Sequence, residues 1–172
     1  MRETIRFAWG ISSLGDFVVA MSDTGIIGLE FSSQRSAMED ALRVRFPDAE
    51  LIDSQEGLAA VLEKVEQAIE EPGFDPDVPL DLCGTAYEVG VWSMLRAIPA
   101  GETTNYGALA GKLGTRDARD VTGAIASNPI AVLVPCHRVI KKDGSISGYR
   151  WGVKRKRELL ARERRLNCPQ PV

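Results

Sequence analysis

Histidine is almost missing: the 172 residues contain one, His137. A metal centre built from imidazoles is short of ligands, and any chemistry that needs a neutral nitrogen base has a single candidate. Cysteine is scarce as well. Cys83, Cys136 and Cys168 are odd in number and widely spaced, with no Cys-x-x-Cys. That pattern argues against a disulfide framework and against zinc, and free thiols suit a reducing compartment. No stretch approaches the roughly 20 apolar residues of a membrane span. The opening Met1-Arg2-Glu3-Thr4 lacks the basic-then-apolar layout of a signal peptide. The expectation is a soluble, cytoplasmic monomer with no cofactor, no metal and no membrane partner.

What the chain does have is an ordinary core composition, 44% hydrophobic, and an uneven charge. The net charge of -3 conceals 6 Lys+Arg against 17 Asp+Glu in residues 1–82, and 15 against 7 in residues 83–172. A basic half on an acidic protein points to an anionic partner for that half, although a solvated basic helix over 154–165 accounts for part of the excess.

The patterning predicts an α+β protein of two lobes, 1–82 and 83–172. In the first, Thr4-Ile5-Arg6-Phe7 reads as a short strand. Phe17–Met21 and Ile26–Phe31 flank Ser22-Asp23-Thr24-Gly25, a hairpin signature. Helices are expected over 35–46 (Met38, Leu42, Phe46) and 55–70 (Leu58, Leu62, Val65, Ile69), with a short strand at Leu51-Ile52. The first lobe is thus a small antiparallel sheet with helices. Residues 71–82, with three prolines and four acidic residues, read as a linker.

The second lobe opens with a helix near 85–97, packed through Val89, Trp92 and Leu95. A short helix from Asn105 to about Leu113, capped by Thr104 and ended by Gly114, precedes one at 116–127 capped by Thr115. Two short helices across a glycine turn make a helix-turn-helix, here winged-helix-like, though many core helix pairs look alike. In the later helix Ala118, Val121 and Ile125 fall on one side, and Arg119, Gly123, Ala126 and Ser127 on another. That second face is one long cation among small residues. It suits close approach to a groove, or tight helix packing with Arg119 at the rim. Ile130–Val134 reads as a strand buried on both faces. Lys141–Ser145 reads as a hairpin turn, Gly148–Gly152 as an aromatic loop and 153–166 as a closing helix.

A thiol attacks as the thiolate, and a free cysteine titrates near pH 8.5. Cys136 follows Pro135 on a turn, beside the only imidazole. A histidine base needs an orienting partner. On the closing helix Leu159, Leu160, Glu163 and Leu166 share one face, so Glu163 points inward and must be paired. His137 is one eligible partner, and several arginines are others. An inert buried cysteine at a strand end fits the same spacing.

Val134-Pro135-Cys136-His137-Arg138-Val139, Gly148-Tyr149-Arg150-Trp151-Gly152 and Leu159-Leu160-Ala161-Arg162-Glu163 resemble the C-terminal domain of the O6-alkylguanine-DNA alkyltransferases, the methylated-DNA–protein-cysteine methyltransferases. Gly84-Thr85-Ala86 and Ile98–Thr103 match upstream, and the first lobe looks like that of Ada-type adaptive-response proteins. The resemblance implies stoichiometric, irreversible transfer of an alkyl group from guanine O6, and from alkylated thymine as a side activity, to Cys136. It implies duplex DNA carrying alkylated guanine as partner, base flipping and minor-groove binding by the helix-turn-helix. It further implies that His137 deprotonates Cys136 through a water while Glu163 holds His137. Tyr106 presses the phosphate and protonates the leaving base, and Asn128 is the hinge. Arg119 fills the base stack, with Thr115, Arg116, Gly123 and Ser127 also facing DNA. Val139, Tyr149, Arg150 and Trp151 line the pocket. The chain departs from the family pattern at Asp120, at Gly107-Ala108 and in a Tyr106–Arg119 segment one residue short. With no histidine or cysteine before Cys83, no zinc is expected in the first lobe. Two other classes remain open at this point: a non-catalytic lesion binder, and a cysteine hydrolase using Cys136, His137 and Glu163.

Overall fold

The computed structural model describes residues 2–114 and 117–167. The chain clusters into two compact units, residues 1–70 with 75–82, and residues 71–74 with 83–172.

The first unit is a four-stranded sheet in the order β3-β2-β1-β4. β1 (Thr4–Ser12), β2 (Gly15–Met21) and β3 (Ile26–Phe31) are antiparallel, and β4 (Glu50–Asp53) runs parallel to β1, so the sheet is mixed. The hairpin closes as its residues require, with the Ser22 N–H donating to the Gly25 carbonyl at 2.9 Å. β1 is nine residues, not the short strand expected. Its second half pairs Trp9 with Val18 and Gly10 with Phe17. A Cβ on Gly10 would lie 2.3 Å from the Phe17 ring, so glycine there lets the aromatic lie across the strand. Ile5, Phe7, Trp9, Val18, Ala20 and Ile27 form a core with Leu42 and the half-buried Met38 of α1 (Arg35–Arg45). α2 (Ala59–Glu70) packs against β1 and buries Leu62, Val65, Ala68 and Ile69, the spacing that marked it as amphipathic.

Residues 75–82 are not a free tether. The Ile26 N–H donates to the Pro79 carbonyl at 2.8 Å, and the Asp81 N–H donates to the Ile26 carbonyl at 2.7 Å. Proline removes donors but leaves carbonyls, and this segment uses one to cap the sheet edge.

In the second unit α3 (Ala86–Arg96) begins with a capping box between Thr85 and Glu88. Trp92, buried, donates its indole N–H to the Ala124 carbonyl at 2.9 Å. α4 (Tyr106–Leu113) is capped by Asn105 rather than Thr104, because Thr104 belongs to β5 (Thr104–Asn105). Gly114 ends α4 at φ 72, the left-handed turn a side chain resists. α5 (Ala118–Ala126) is capped by Asp117; the expected cap, Thr115, lies outside the described residues, as does Arg116. Val121, Ala124 and Ile125 bury the inner face of α5, while Ala118, expected inside, is exposed.

Ile130–Val134 is not a strand. Ile130, Ala131 and Val134 are fully buried, but the chain turns back, with the Val134 N–H on the Ile130 carbonyl at 3.2 Å and Val132 at φ 65. The Lys141–Ser145 turn forms, yet among the described residues no strand returns from it; β6 (Val139–Ile140) pairs instead in parallel with β5. α6 (Val153–Arg164) closes the unit. It buries Lys156, Leu159, Leu160 and Glu163, while Leu166, expected on that face, is 51% exposed just beyond its end.

Candidate active site

Asn128 explains the turn that presents Cys136. Fully buried, it accepts the Ile130 N–H at 3.0 Å and donates to the Val134 carbonyl at 2.9 Å. One amide side chain thus does for residues 130–134 what a strand partner would otherwise do, since buried backbone groups must be paired. Pro135 follows, and Cys136–Arg138 form a single 3-10 turn.

Cys136 is 4% exposed. Burial pushes its thiol up to about 11, against the pull of the Asn128 hydrogen bond and the positive charges of Lys156 and Arg150. At neutral pH the resting residue is a thiol.

His137 is fully buried, and its Nε2 lies 2.8 Å from Glu163 Oε1. A carboxylate only accepts, so the imidazole proton sits on Nε2. Nδ1 is then a buried lone pair, and it has no hydrogen-bond partner among the described residues. Burial lowers the His137 pKa below its ordinary value, opposed by Glu163, so the resting ring is neutral. Glu163 is shared: Arg138 reaches its two oxygens at 2.8 to 3.1 Å and donates to the Ile98 carbonyl at 2.6 Å. Burial pushes the Glu163 carboxyl up, but the hydrogen bonds from His137 and Arg138 win and hold it at about 2. The helical spacing named Glu163 correctly as inward and paired. Its second partner, Arg138, comes from the cysteine turn and not from α6.

Tyr106 opens α4, and its hydroxyl hydrogen-bonds the Ser147 hydroxyl. Ser147 in turn accepts from Lys156 Nζ at 3.0 Å. Lys156, 1% exposed, was missed in the sequence. It lies three, four and seven residues before Leu159, Leu160 and Glu163, so the helical period alone puts it on the inward face. Ser147 carried no such signal.

Of the residues expected to line a pocket, Tyr149, Arg150 and Trp151 lie on the loop before α6, and Val139 lies in β6. Val139 and Trp151 are buried, and Tyr149 meets Trp151 edge-on with centroids 5.2 Å apart. The Tyr149 hydroxyl is buried without a hydrogen-bond partner among the described residues, and burial raises its pKa well above the ordinary value. An orphaned hydroxyl beside a buried thiol is an unmet polar demand that a ligand can satisfy. Arg150 spans this region: it donates to the Asn128 carbonyl at 3.1 Å and lies 5.5 Å from the Trp151 ring centre.

The outer face of α5 is as small as its sequence suggests. Gly123 has open space where a side chain would stand, and the Arg119 side chain is 91% exposed. A shallow groove beside it is lined by Tyr87, Glu88, Arg119, Asp120, Gly123 and Ala124, and does not include Cys136. Two details were not legible in the sequence. Arg119 is gripped by the Asp117 carboxylate through contacts of 2.9 to 3.2 Å, and the Ser127 hydroxyl donates to Glu88 at 2.6 Å. No helix is long and apolar enough to cross a membrane, and no metal-ligating cluster occurs among the described residues.

Comparison with known proteins sharpens this picture. Residues 86–165 match the family profile described as 6-O-methylguanine DNA methyltransferase, DNA binding domain. The inducible methylated-DNA–protein-cysteine methyltransferase of Bacillus subtilis is 34% identical over 169 residues, covering 95% of this chain and 94% of its own length. The bifunctional transcriptional activator/DNA repair enzyme Ada of Escherichia coli is 38% identical over 160 residues, 92% of this chain but 45% of Ada, so the chain spans about half the length of that relative. Among solved structures, Mycobacterium tuberculosis OGT in complex with DNA superposes with a TM-score of 0.76 at 33% identity, covering 93% of each chain.

Proposed function

The chain belongs to the 6-O-methylguanine DNA methyltransferase family, and from that premise we propose that it repairs DNA by moving an alkyl group from guanine O6 to its own Cys136. The observation that carries this reading is the buried sequence of Cys136, a neutral His137 with a bare Nδ1, and an ionised Glu163 on its Nε2.

The reaction balances simply. The Cys136 S–H proton passes to His137 Nδ1 through a water, and the sulfur attacks the alkyl carbon. The carbon–oxygen bond breaks, its electron pair stays with guanine, and the ring nitrogen of the leaving base takes a proton from Tyr106; the Tyr106 phenolate then regains a proton from solvent as His137 releases its own. The product is a thioether, a poor leaving group. No second thiol is bonded to Cys136 among the described residues. One turnover per molecule follows.

An alkyl carbon inside a duplex is out of reach of a side chain that is 4% exposed, so the nucleotide must leave the stack. Arg119 on the small-residue face of α5 suits insertion from the minor groove into the gap. Val139, Tyr149, Arg150 and Trp151 then receive the base, whose polar edge meets the orphaned Tyr149 hydroxyl. O4-alkylthymine is expected as a lesser substrate of the same pocket. The basic second half supplies phosphate contacts.

The test is incubation with a duplex carrying methylated guanine, followed by intact and peptide mass measurement. One added methylene, on Cys136, at one equivalent is expected. Methyl groups released to solution over many turnovers would sink the proposal and favour a hydrolase, and tight binding without an adduct would favour a lesion binder.

A further inference from the structure

We propose that Ser147 is a positioning residue: it ties the Tyr106 hydroxyl to the buried ammonium of Lys156 and so aims the Tyr106 proton at the leaving base. The inference rests on the reading of Tyr106 as proton donor and adds a residue that the helical period does not pick out.

Three elements meet at Ser147. Tyr106 comes from the first turn of α4, Lys156 from the inward face of α6, and Ser147 from the loop between β6 and α6. Lys156 is 1% exposed, so its ammonium depends on acceptors within the protein, and these are Ser147 Oγ at 3.0 Å and the Gly148 carbonyl at 3.4 Å. An ammonium has donors only, so the Ser147 oxygen must accept from it.

That assignment leaves the Ser147 proton available to a second partner. Among the described residues Ser147 Oγ has two partners, Lys156 and Tyr106. Ser147 keeps a second lone pair, so it could also accept from Tyr106; we take the serine as donor because the Tyr106 oxygen is the one acceptor its proton has among the described residues. A phenol proton lies close to the ring plane, in one of two directions. The side facing Ser147 is taken by the serine proton, so the Tyr106 proton turns to the other side, away from the protein network. Without Ser147 the phenol rotates freely and Lys156 loses its nearest acceptor.

The experiment measures two quantities on a methylated-guanine duplex, the single-turnover transfer rate at saturation and the half-saturating concentration. Ser147→Ala is expected to lower the saturated rate about tenfold, a fraction of what a positioned acid contributes, with the half-saturating concentration changed less than about twofold. Ser147→Thr, which keeps the hydroxyl, is expected to restore the rate. In a Tyr106→Phe background Ser147→Ala is expected to add no slowing. An unchanged rate in Ser147→Ala, an effect on binding alone, or equal slowing in the Phe background each overturns the role of Ser147. If Tyr106→Phe itself transfers at the original rate, the proton-donor reading falls first. Slow transfer in Tyr106→Phe with normal transfer in Ser147→Ala refutes the present inference alone.

Discussion

Replacing Glu163 by glutamine tests both the stability and the chemistry of the site. The carboxylate has two buried partners: His137 Nε2 at 2.8 Å, and Arg138, bound through both oxygens and 13% exposed. Glutamine keeps one acceptor oxygen and turns the other into a donor. If the amide oxygen stays with His137, its NH2 faces the Arg138 Nε–H, and a buried guanidinium loses its counter-charge. Removing one partner of a buried pair costs about 3–5 kcal/mol. The pKa gives a second route to the magnitude. The Glu163 carboxyl is held at about 2 against an ordinary value of 4.5. At about 1.4 kcal/mol per pH unit, that displacement is worth about 3 kcal/mol.

The sign of the pH dependence follows. Because the folded-state value lies below the unfolded one, the stabilisation is complete above about 4.5 and is lost as pH falls toward about 2. His137, also lowered, adds a separate loss that begins below its ordinary 6.5, where the unfolded chain takes up a proton the buried ring resists. Denaturant titrations from pH 8 to 3 should therefore show two acid limbs in the parent protein. In Glu163→Gln the lower limb should vanish and the pH 7 stability should fall by about 3 kcal/mol, a midpoint drop of roughly 10 °C. Transfer to Cys136 should slow by at least about a hundredfold, because the histidine loses its orienting charge. A variant as stable as its parent at pH 7, with the lower limb intact, would refute the reasoning.

Cys136→Ser should abolish transfer yet hold lesion DNA; loss of binding too, in a gel-shift assay, would make Cys136 structural. Arg119→Ala should slow repair within duplexes far more than attack on the free methylated base, and equal slowing would remove its base-flipping role. Asp117→Asn keeps the cap of α5, since asparagine caps as well as aspartate, but strips Arg119 of its carboxylate. Duplex affinity should rise, and the log–log salt slope should steepen by up to about 0.9; unchanged anisotropy titrations would show that Asp117 does not restrain the arginine. Asn128→Ala leaves the Ile130 N–H buried and unpaired, at about 1–3 kcal/mol, and takes one of two donors from the Val134 carbonyl, which keeps the Cys136 N–H at 2.8 Å. An unaltered thermal midpoint would contradict the account of the turn.

The sequence was most legible where one residue's environment followed from a period. The hairpin around Ser22–Gly25, the amphipathic α2 and the inward carboxylate of Glu163 all came from spacing, because spacing decides which face meets the core. Lys156 obeyed the same period and was missed only because lysine is expected outside. Reading failed where a side chain replaced a backbone partner. Ile130–Val134 has the composition of a buried strand, but Asn128 satisfies its polar groups from outside the run, and no local pattern reveals that substitution. The second half of β1 failed for a related reason: Gly10 gains its strand role from Phe17, seven residues away. Ser147, Asp117 and the sharing of Glu163 with Arg138 depend on long-range placement or on which rotamer a long cation chooses, and local patterning encodes neither.

The electrostatics of Cys136 bear on why such a residue can wait. A thiol held near 11 by burial is inert at rest, which suits the proposed role of an acceptor used once. A hydrolase needs the opposite, a thiolate ready for each round and a path for water to release the product. Here the bare His137 Nδ1 takes a proton only transiently, since burial disfavours the imidazolium and the charges of Arg138 and Lys156 add to that. Glu163, drawn partly to Arg138, offers the ring orientation more than a full counter-charge. On the proposed reaction, the arrangement becomes favourable only when a guanine leaving group is present to take a proton from Tyr106 as the sulfur loses its own. Proton loss at one end of the pocket is then matched by proton uptake at the other, and once His137 releases its proton and Tyr106 regains one, no charge is left beside the thioether. On this reasoning the lesion is the activator of Cys136, and a pocket without a departing base should leave the thiol unspent.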